Sequence, residues 1–247
     1  MTGSASTVNS TPMAALLFAQ GYRPDDAGLT ALAADAGGYA VSHRDLDTPG
    51  WVEVLRDGLT FDLNGLAPDA PVPVDLAAMQ RVGLPQTVDT STLEAIVLAP
   101  GPHLAGAEHL LPVVRVAAAL IAALVRLPGL VAVSWLPSGS LVSPEWFVKA
   151  ADAWIAGGPF PALAMTTIAR TASKMKSHGL TFLIGQEFTL YASGGMLQEK
   201  DARVAVRLVD WLVAHGKVEG PREVVLPDVG PVWLEPDGEG MIHVRCA

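Results

Sequence analysis

The stretch "WVEVLRDGLTFDL", residues 51–63, constrains the fold more than any other. Two apolar–polar alternating runs flank Asp57-Gly58, a dipeptide suited to the positive φ angles of a two-residue hairpin turn. A second group of short strands, "REVVLP", "GPVWLEP" and "GMIHVRC", closes the chain with Pro and Gly turns. Between them, strands and helices mix without strict βα alternation. Hairpins at both ends favour an α+β fold with a mixed, largely antiparallel sheet and packed helices over a doubly wound α/β fold. Two βαββ-like halves are a candidate duplication.

The spacing along the chain predicts four segments. Residues 1–12 form a polar N-terminus expected to be disordered. Residues 13–65 form a βαββ unit: a strand at "AALLFA", a helix after Asp25 or Asp26 with Leu29, Leu32, Ala33 and Ala36 on one face, a strand at "YAVSH", then the hairpin. Residues 66–90 are Pro-rich and read as a linker or surface excursion, with a short helix near Leu76 to Arg81. Residues 91–247 form a C-terminal α+β unit. It opens with the strand "LEAIVLAP" and a helix over 105–127 interrupted near Pro112, followed by the strand "LVAVSWLP". The segment "SPEWFVKAADAWIAGG" carries a complete helix grammar: Ser143 as cap, Pro144 in the first turn, Glu145 at the positive dipole end, Gly157-Gly158 as the stop. Phe147, Ala150, Ala151 and Trp154 make its buried stripe, which leaves Trp146 outside. "PALAMTTIART" and "LTFLIGQEFTLYA" read as strands joined by a polar connector, "ASKMKSHG". "EKDARVAVRLVDWLVAHG" reads as a last helix with Val204, Leu208, Trp211, Leu212 and His215 inward.

Charge narrows the partners. With 16 Lys and Arg against 25 Asp and Glu, the chain is a poor match for nucleic-acid phosphates and a fair one for a basic protein. Its most apolar run, Val116 to Val125, is half of what a membrane-spanning helix needs, so no membrane partner is expected. The N-terminus lacks the basic start and apolar core of a secretory signal. The single cysteine, Cys246, excludes an internal disulfide and a thiolate metal cluster. Together these point to a cytoplasmic protein. They leave its oligomeric state open.

No G-x-G-x-x-G, phosphate-loop, H-E-x-x-H or G-x-S-x-G pattern occurs, so no cofactor is expected and the reading leans away from an enzyme. Four residues stand as catalytic candidates. In "HRDLD", His43, Asp45 and Asp47 alternate and share one face of a strand, where an imidazole beside two carboxylates suits acid–base work or a divalent metal. A metal would need further ligands, so none is expected. The fourth is Glu187 in "GLTFLIGQEFTLYASGG". On a strand it points away from the apolar face made by Leu180, Phe182, Ile184, Phe188 and Leu190, and is expected to be exposed. Gln186 then faces the core and needs a hydrogen-bond partner. A bulge at Gly185 would change that register. The loop serines Ser138 and Ser140 have no visible base, and "HLAGAEH" reads as a polar helix start.

The stretches "VRVAAALIAALVRLPGLVAVSWLPSGSLVSPEWF", "GLTFLIGQEFTLYASGG" and "RLVDWLVAHG" resemble the bacterial DUF4261 family, a domain of unknown function. The resemblance covers the second half of the chain. It implies an α+β fold, an uncharacterised bacterial protein, and Gly185 and Glu187 as the matching strand residues; it brings no active site. The expected function is a non-catalytic binding or protein-interaction module. The alternative is a hydrolase or metal-assisted enzyme built on the acidic and histidine residues.

Overall fold

The computed structural model describes residues 11–45 and 49–246. The chain divides into two compact units, Met1–Asp75 with Asp89–Val133 and Leu76–Val88 with Ser134–Ala247. Elements are numbered along the chain.

The first unit holds β1 (Ala14–Phe18), α1 (Asp26–Ala36), β2 (Ala40–Arg44), β3 (Trp51–Arg56), β4 (Leu59–Asn64), β6 (Glu94–Pro100), α2 (Leu111–Leu124) and most of β7 (Leu130–Trp135). Its strands lie in the order β2-β3-β4-β6-β1-β7. β2 through β1 pair antiparallel throughout. The central strands β1 and β6 are apolar runs buried on both faces. The hairpin strands β3 and β4 alternate instead. Val52, Val54, Phe61 and Leu63 enter the core, while Trp51, Glu53, Thr60 and Asp62 stay half-buried on the other face. Asp57 and Gly58 both have positive φ, 49° and 80°, as the hairpin requires.

The sequence reading placed residues 91–133 with the C-terminal unit. The structure places them with the N-terminal strands, because β6 lies between β4 and β1. The helix expected over 105–127 begins at Leu111. Pro112 falls in its first turn, where a missing N–H breaks no helical bond, and so it starts the helix rather than interrupting it.

The second unit holds β5 (Gln80–Val82), β8 (Ser140–Val142), α3 (Pro144–Ile155), α4 (Ala162–Met165), β9 (Thr167–Arg170), β10 (Lys174–His178), α5 (Leu180–Ile184), β11 (Glu187–Tyr191), α6 (Glu199–His215), β12 (Arg222–Leu226), β13 (Gly230–Pro236) and β14 (Met241–Cys246). β5 and β8 pair in parallel, in place of the helix expected near Leu76 to Arg81. A six-stranded sheet has the order β12-β13-β14-β11-β10-β9, antiparallel except where β11 meets β14. The protein is therefore α+β, with mixed and mostly antiparallel sheets.

α3 follows its sequence grammar: Ser143 accepts the Trp146 N–H, and Phe147, Ala151 and Trp154 are buried. α6 buries Val204, Leu208 and Leu212, but His215 is exposed and stacks on half-buried Trp211. Three stretches differ from expectation. "PALAM" forms the short α4 before the strand β9. The polar connector "KMKSH" is itself a strand, β10, which buries only Met175 and Ser177 and so shows little apolar alternation. "LTFLI" is the single-turn α5, bounded by Gly179 and Gly185 in the left-handed region. Glycine takes that conformation without a Cβ clash, which lets the chain turn at both ends of a run that otherwise reads as strand.

Candidate functional site

Glu187 opens β11 and is buried, 9% exposed, which corrects the expectation of an open sheet face. Once α5 replaces the first half of the expected strand, the period-two count no longer runs through Gly185. The Ser177 hydroxyl donates to Glu187 Oε2 at 2.6 Å, and the Gly179 and Thr181 amides donate to Oε1 at 2.8 and 2.9 Å. The Ser177 hydroxyl oxygen in turn accepts the Phe188 amide. Glu187 thus anchors the entry to α5 from the neighbouring strand. Its oxygens already hold three donors, and the described ion pairs do not include it, so the geometry gives it a structural task. Gln186 is buried as expected and has its partners: its amide donates to Val218 O and accepts from Val218 N.

The strand that carries His43 ends before Asp45. β2 ends at Arg44, and its register shifts between Val41 and His43. Asp45 follows the strand and lines a cleft of about 150 Å³ with Arg44, Asp26 and Trp51. Asp47 lies outside the described residues. Among the described residues no three His, Cys, Asp or Glu side chains come together as a metal-ligand set. Ser138 and Ser140 are buried and donate to the carbonyls of Trp135 and Ala164, which occupies both hydroxyls structurally.

His43 does enter a different cluster. The antiparallel registers set His43 opposite Glu53, Glu53 opposite Asp62, and Asp62 opposite Ala99. Residues directly opposite in an antiparallel pair share a face with Cβ atoms about 5 Å apart. Four strands therefore present one row holding an imidazole and two adjacent carboxylates. Trp51, two residues before Glu53, lies on the same face; it packs edge-on against the His43 ring at 5.7 Å. The Ser42 hydroxyl donates to Glu53 Oε1 at 2.7 Å. His103, from the turn after β6, sits 3.2 Å from the Thr60 hydroxyl.

Asp62 is the uneven member. Burial raises its pKa above the ordinary 3.8; the Trp51 indole hydrogen bond opposes this, the charge of Glu53 adds to it, and His103 opposes it. Its Oδ1 is buried and has no hydrogen-bond partner. The described ion pairs include neither Glu53 nor Asp62. Such a surface suits a cation: a guanidinium over the Glu53–Asp62 pair would meet two facing carboxylates that have no described counter-charge and lie beside the Trp51 indole.

Sequence reasoning missed Glu53 and Asp62, although the signal was present. A two-residue turn at Asp57-Gly58 pairs residues whose numbers sum alike, and that rule sets Glu53 against Asp62. No family model, no curated protein and no solved structure matches the chain.

Proposed function

We propose that the unit holding β3 and β4 is a non-catalytic interaction module that captures a basic side chain of a protein partner between Glu53 and Asp62. The observation that supports this most is the pair of directly opposed carboxylates, Glu53 and Asp62, neither of which is ion-paired to a described Lys or Arg. Like charges directly opposed on neighbouring strands destabilise a sheet, and an arriving cation removes that cost. An arginine fits better than a lysine, because its planar fork can bond a carboxylate twice while stacking on Trp51.

The test is calorimetric titration of an octa-arginine peptide into the wild type, Glu53→Gln, Asp62→Asn and the control Asp152→Asn, which removes an exposed charge of α3. The expected result is an affinity loss of about tenfold in the first two variants, or ~1.4 kcal/mol, and little change in the control. Equal affinities in all four proteins would mean that only diffuse charge is at work and would sink the proposal.

A hydrolase is the second reading, favoured by the raised pKa of Asp62 beside Glu53. Two carboxylates whose environments push their proton affinities apart are how acid and base roles divide. Turnover of an ester or glycoside substrate that Asp62→Asn abolishes would favour this reading over the first.

A further inference from the structure

The outward face of the six-stranded sheet in the second unit carries a chain of three polar side chains. Tyr191 ends β11, His243 lies on β14, and Asp237 belongs to the turn between β13 and β14. The Tyr191 hydroxyl is 3.0 Å from His243 Nδ1, with the two rings stacked at 5.9 Å. His243 Nε2 is 3.5 Å from Asp237 Oδ2. Asp237 Oδ1 accepts the amides of Met241 and Glu239 at 3.0 and 2.8 Å. Those backbone bonds, with a smaller contribution from His243, hold the Asp237 carboxyl below its ordinary range.

A carboxylate 3.5 Å from Nε2 favours a ring proton on that nitrogen, and the Nδ1 lone pair then faces the phenol hydroxyl. A nucleophile, a base in hydrogen-bond reach and a third group that orients the base are the three parts of nucleophile activation. The register adds the cations. Lys174 on β10 and Arg245 on β14 are the direct neighbours of Tyr191. Among the described residues the ion-pair partner of Arg245 is Glu235, at a loose 3.8 Å and open to solvent, which leaves Arg245 able to turn to an anion.

We propose that Tyr191 is an activated phenol that takes the phosphoryl group of a phosphate ester, with His243 as proton acceptor and Asp237 as the residue that positions His243. In the step, Tyr191 Oη bonds to phosphorus and its proton passes to His243 Nδ1. The bond from phosphorus to the departing oxygen breaks, and that oxygen leaves with the electron pair. Lys174 and Arg245 stabilise the non-bridging oxygens.

The chain contains its own controls. Tyr22 is 62% exposed against 36% for Tyr191, so a reagent limited only by access reaches Tyr22 first. Tyr39 is buried, donates to Leu29 O and has its pKa pushed up to about 12 by burial, so it stays inert. The experiment treats the full chain with an arylsulfonyl fluoride and, separately, with bis(4-nitrophenyl) phosphate, and maps the adducts by peptide mass. Tyr191 is expected to react at least about tenfold faster than Tyr22 with both probes. His243→Gln should remove that advantage while the Tyr22 rate and the melting temperature stay put. Nitrogen shifts of the His243 ring should show the Nε2–H form, and Asp237→Asn should weaken that preference. Labelling that follows exposure, or a Tyr191 rate that His243→Gln does not change, overturns the activated phenol. Sulfonyl labelling without a phosphoryl adduct overturns the phosphate-ester assignment.

Discussion

Glu187 in the second unit and Asp62 in the first are both partly or wholly withdrawn from solvent, and their surroundings differ. Glu187 is the more deeply buried, yet three donors reach its two oxygens. Asp62 keeps partial exposure, receives the Trp51 indole, and has one oxygen with no partner. Burial alone therefore does not mark a carboxylate as functional. What marks it is charge left over after the fold has taken its share, because a half-buried carboxylate facing another with no described counter-ion gains most from an arriving cation. The same contrast runs through composition. Met1–Asp75 with Asp89–Val133 carries five Arg, no Lys and thirteen Asp or Glu, whereas the other unit carries eleven Lys or Arg against twelve Asp or Glu. Almost all of the chain's net charge thus resides in the unit that holds Glu53 and Asp62, which is where a basic partner would be drawn.

The largest expected losses are those of buried packing. Phe147→Ala should cost about 3–5 kcal/mol in chemical denaturation, since the ring is 1% exposed and the cavity cannot collapse fully. Its neighbour Trp146, on the outer side of α3, should cost under ~1 kcal/mol when replaced by Ala. Similar losses for the two would show that the helix face is misassigned. Glu187 comes next. Glu187→Ala strands two backbone amides and a hydroxyl, each worth about 1–3 kcal/mol when left unmet, so a loss of about 3 kcal/mol is expected after local relaxation. Glu187→Gln retains one acceptor oxygen and should lose about 1–2 kcal/mol. A Gln variant as stable as the wild type would place Glu187 back on an open sheet face and remove the contrast with Asp62.

Part of the fold is legible in the sequence. The Asp57-Gly58 hairpin and the Ser143 cap are encoded by a few neighbouring residues, and both formed where their local chemistry put them. The α5 turn was not legible, because "LTFLI" is equally apolar as strand or helix; what decides it is a carboxylate seven residues beyond its first residue that binds its leading amides. β10 escaped notice for the opposite reason: only Met175 and Ser177 face inward, and Ser177 is there to bond Glu187 and Phe188 rather than to bury apolar surface. The partition of the chain failed at β6, whose neighbours β1 and β4 are distant in sequence. For the candidate site, looking for chemistry along one strand favoured His43, Asp45 and Asp47. The pairing that matters runs across strands, from His43 to Glu53 to Asp62.

The smallest expected effect separates the two carboxylates by sign. Burial and the charge of Glu53 raise the folded-state pKa of Asp62 above the ordinary 3.8 that the unfolded chain retains. Between those two values the folded state binds more protons than the unfolded state, so stability falls as pH rises through that window. Below the ordinary value both states are protonated and the contribution of Asp62 is fully present; above the raised value it is gone, and a half-buried charge beside Glu53 remains. His103 reduces this burden without cancelling it, since the net shift is upward. Asp62→Asn removes the charge while keeping the shape. It should therefore raise the melting temperature at neutral pH by a small amount, and the gain should shrink as the pH is lowered through the window. Glu187→Gln should lower the melting temperature under the same neutral conditions, because there the oxygens are already in use. A drop in stability for Asp62→Asn at neutral pH would mean that its Oδ1 is needed by the fold, and the surplus capacity on which the basic-partner reading depends would not exist.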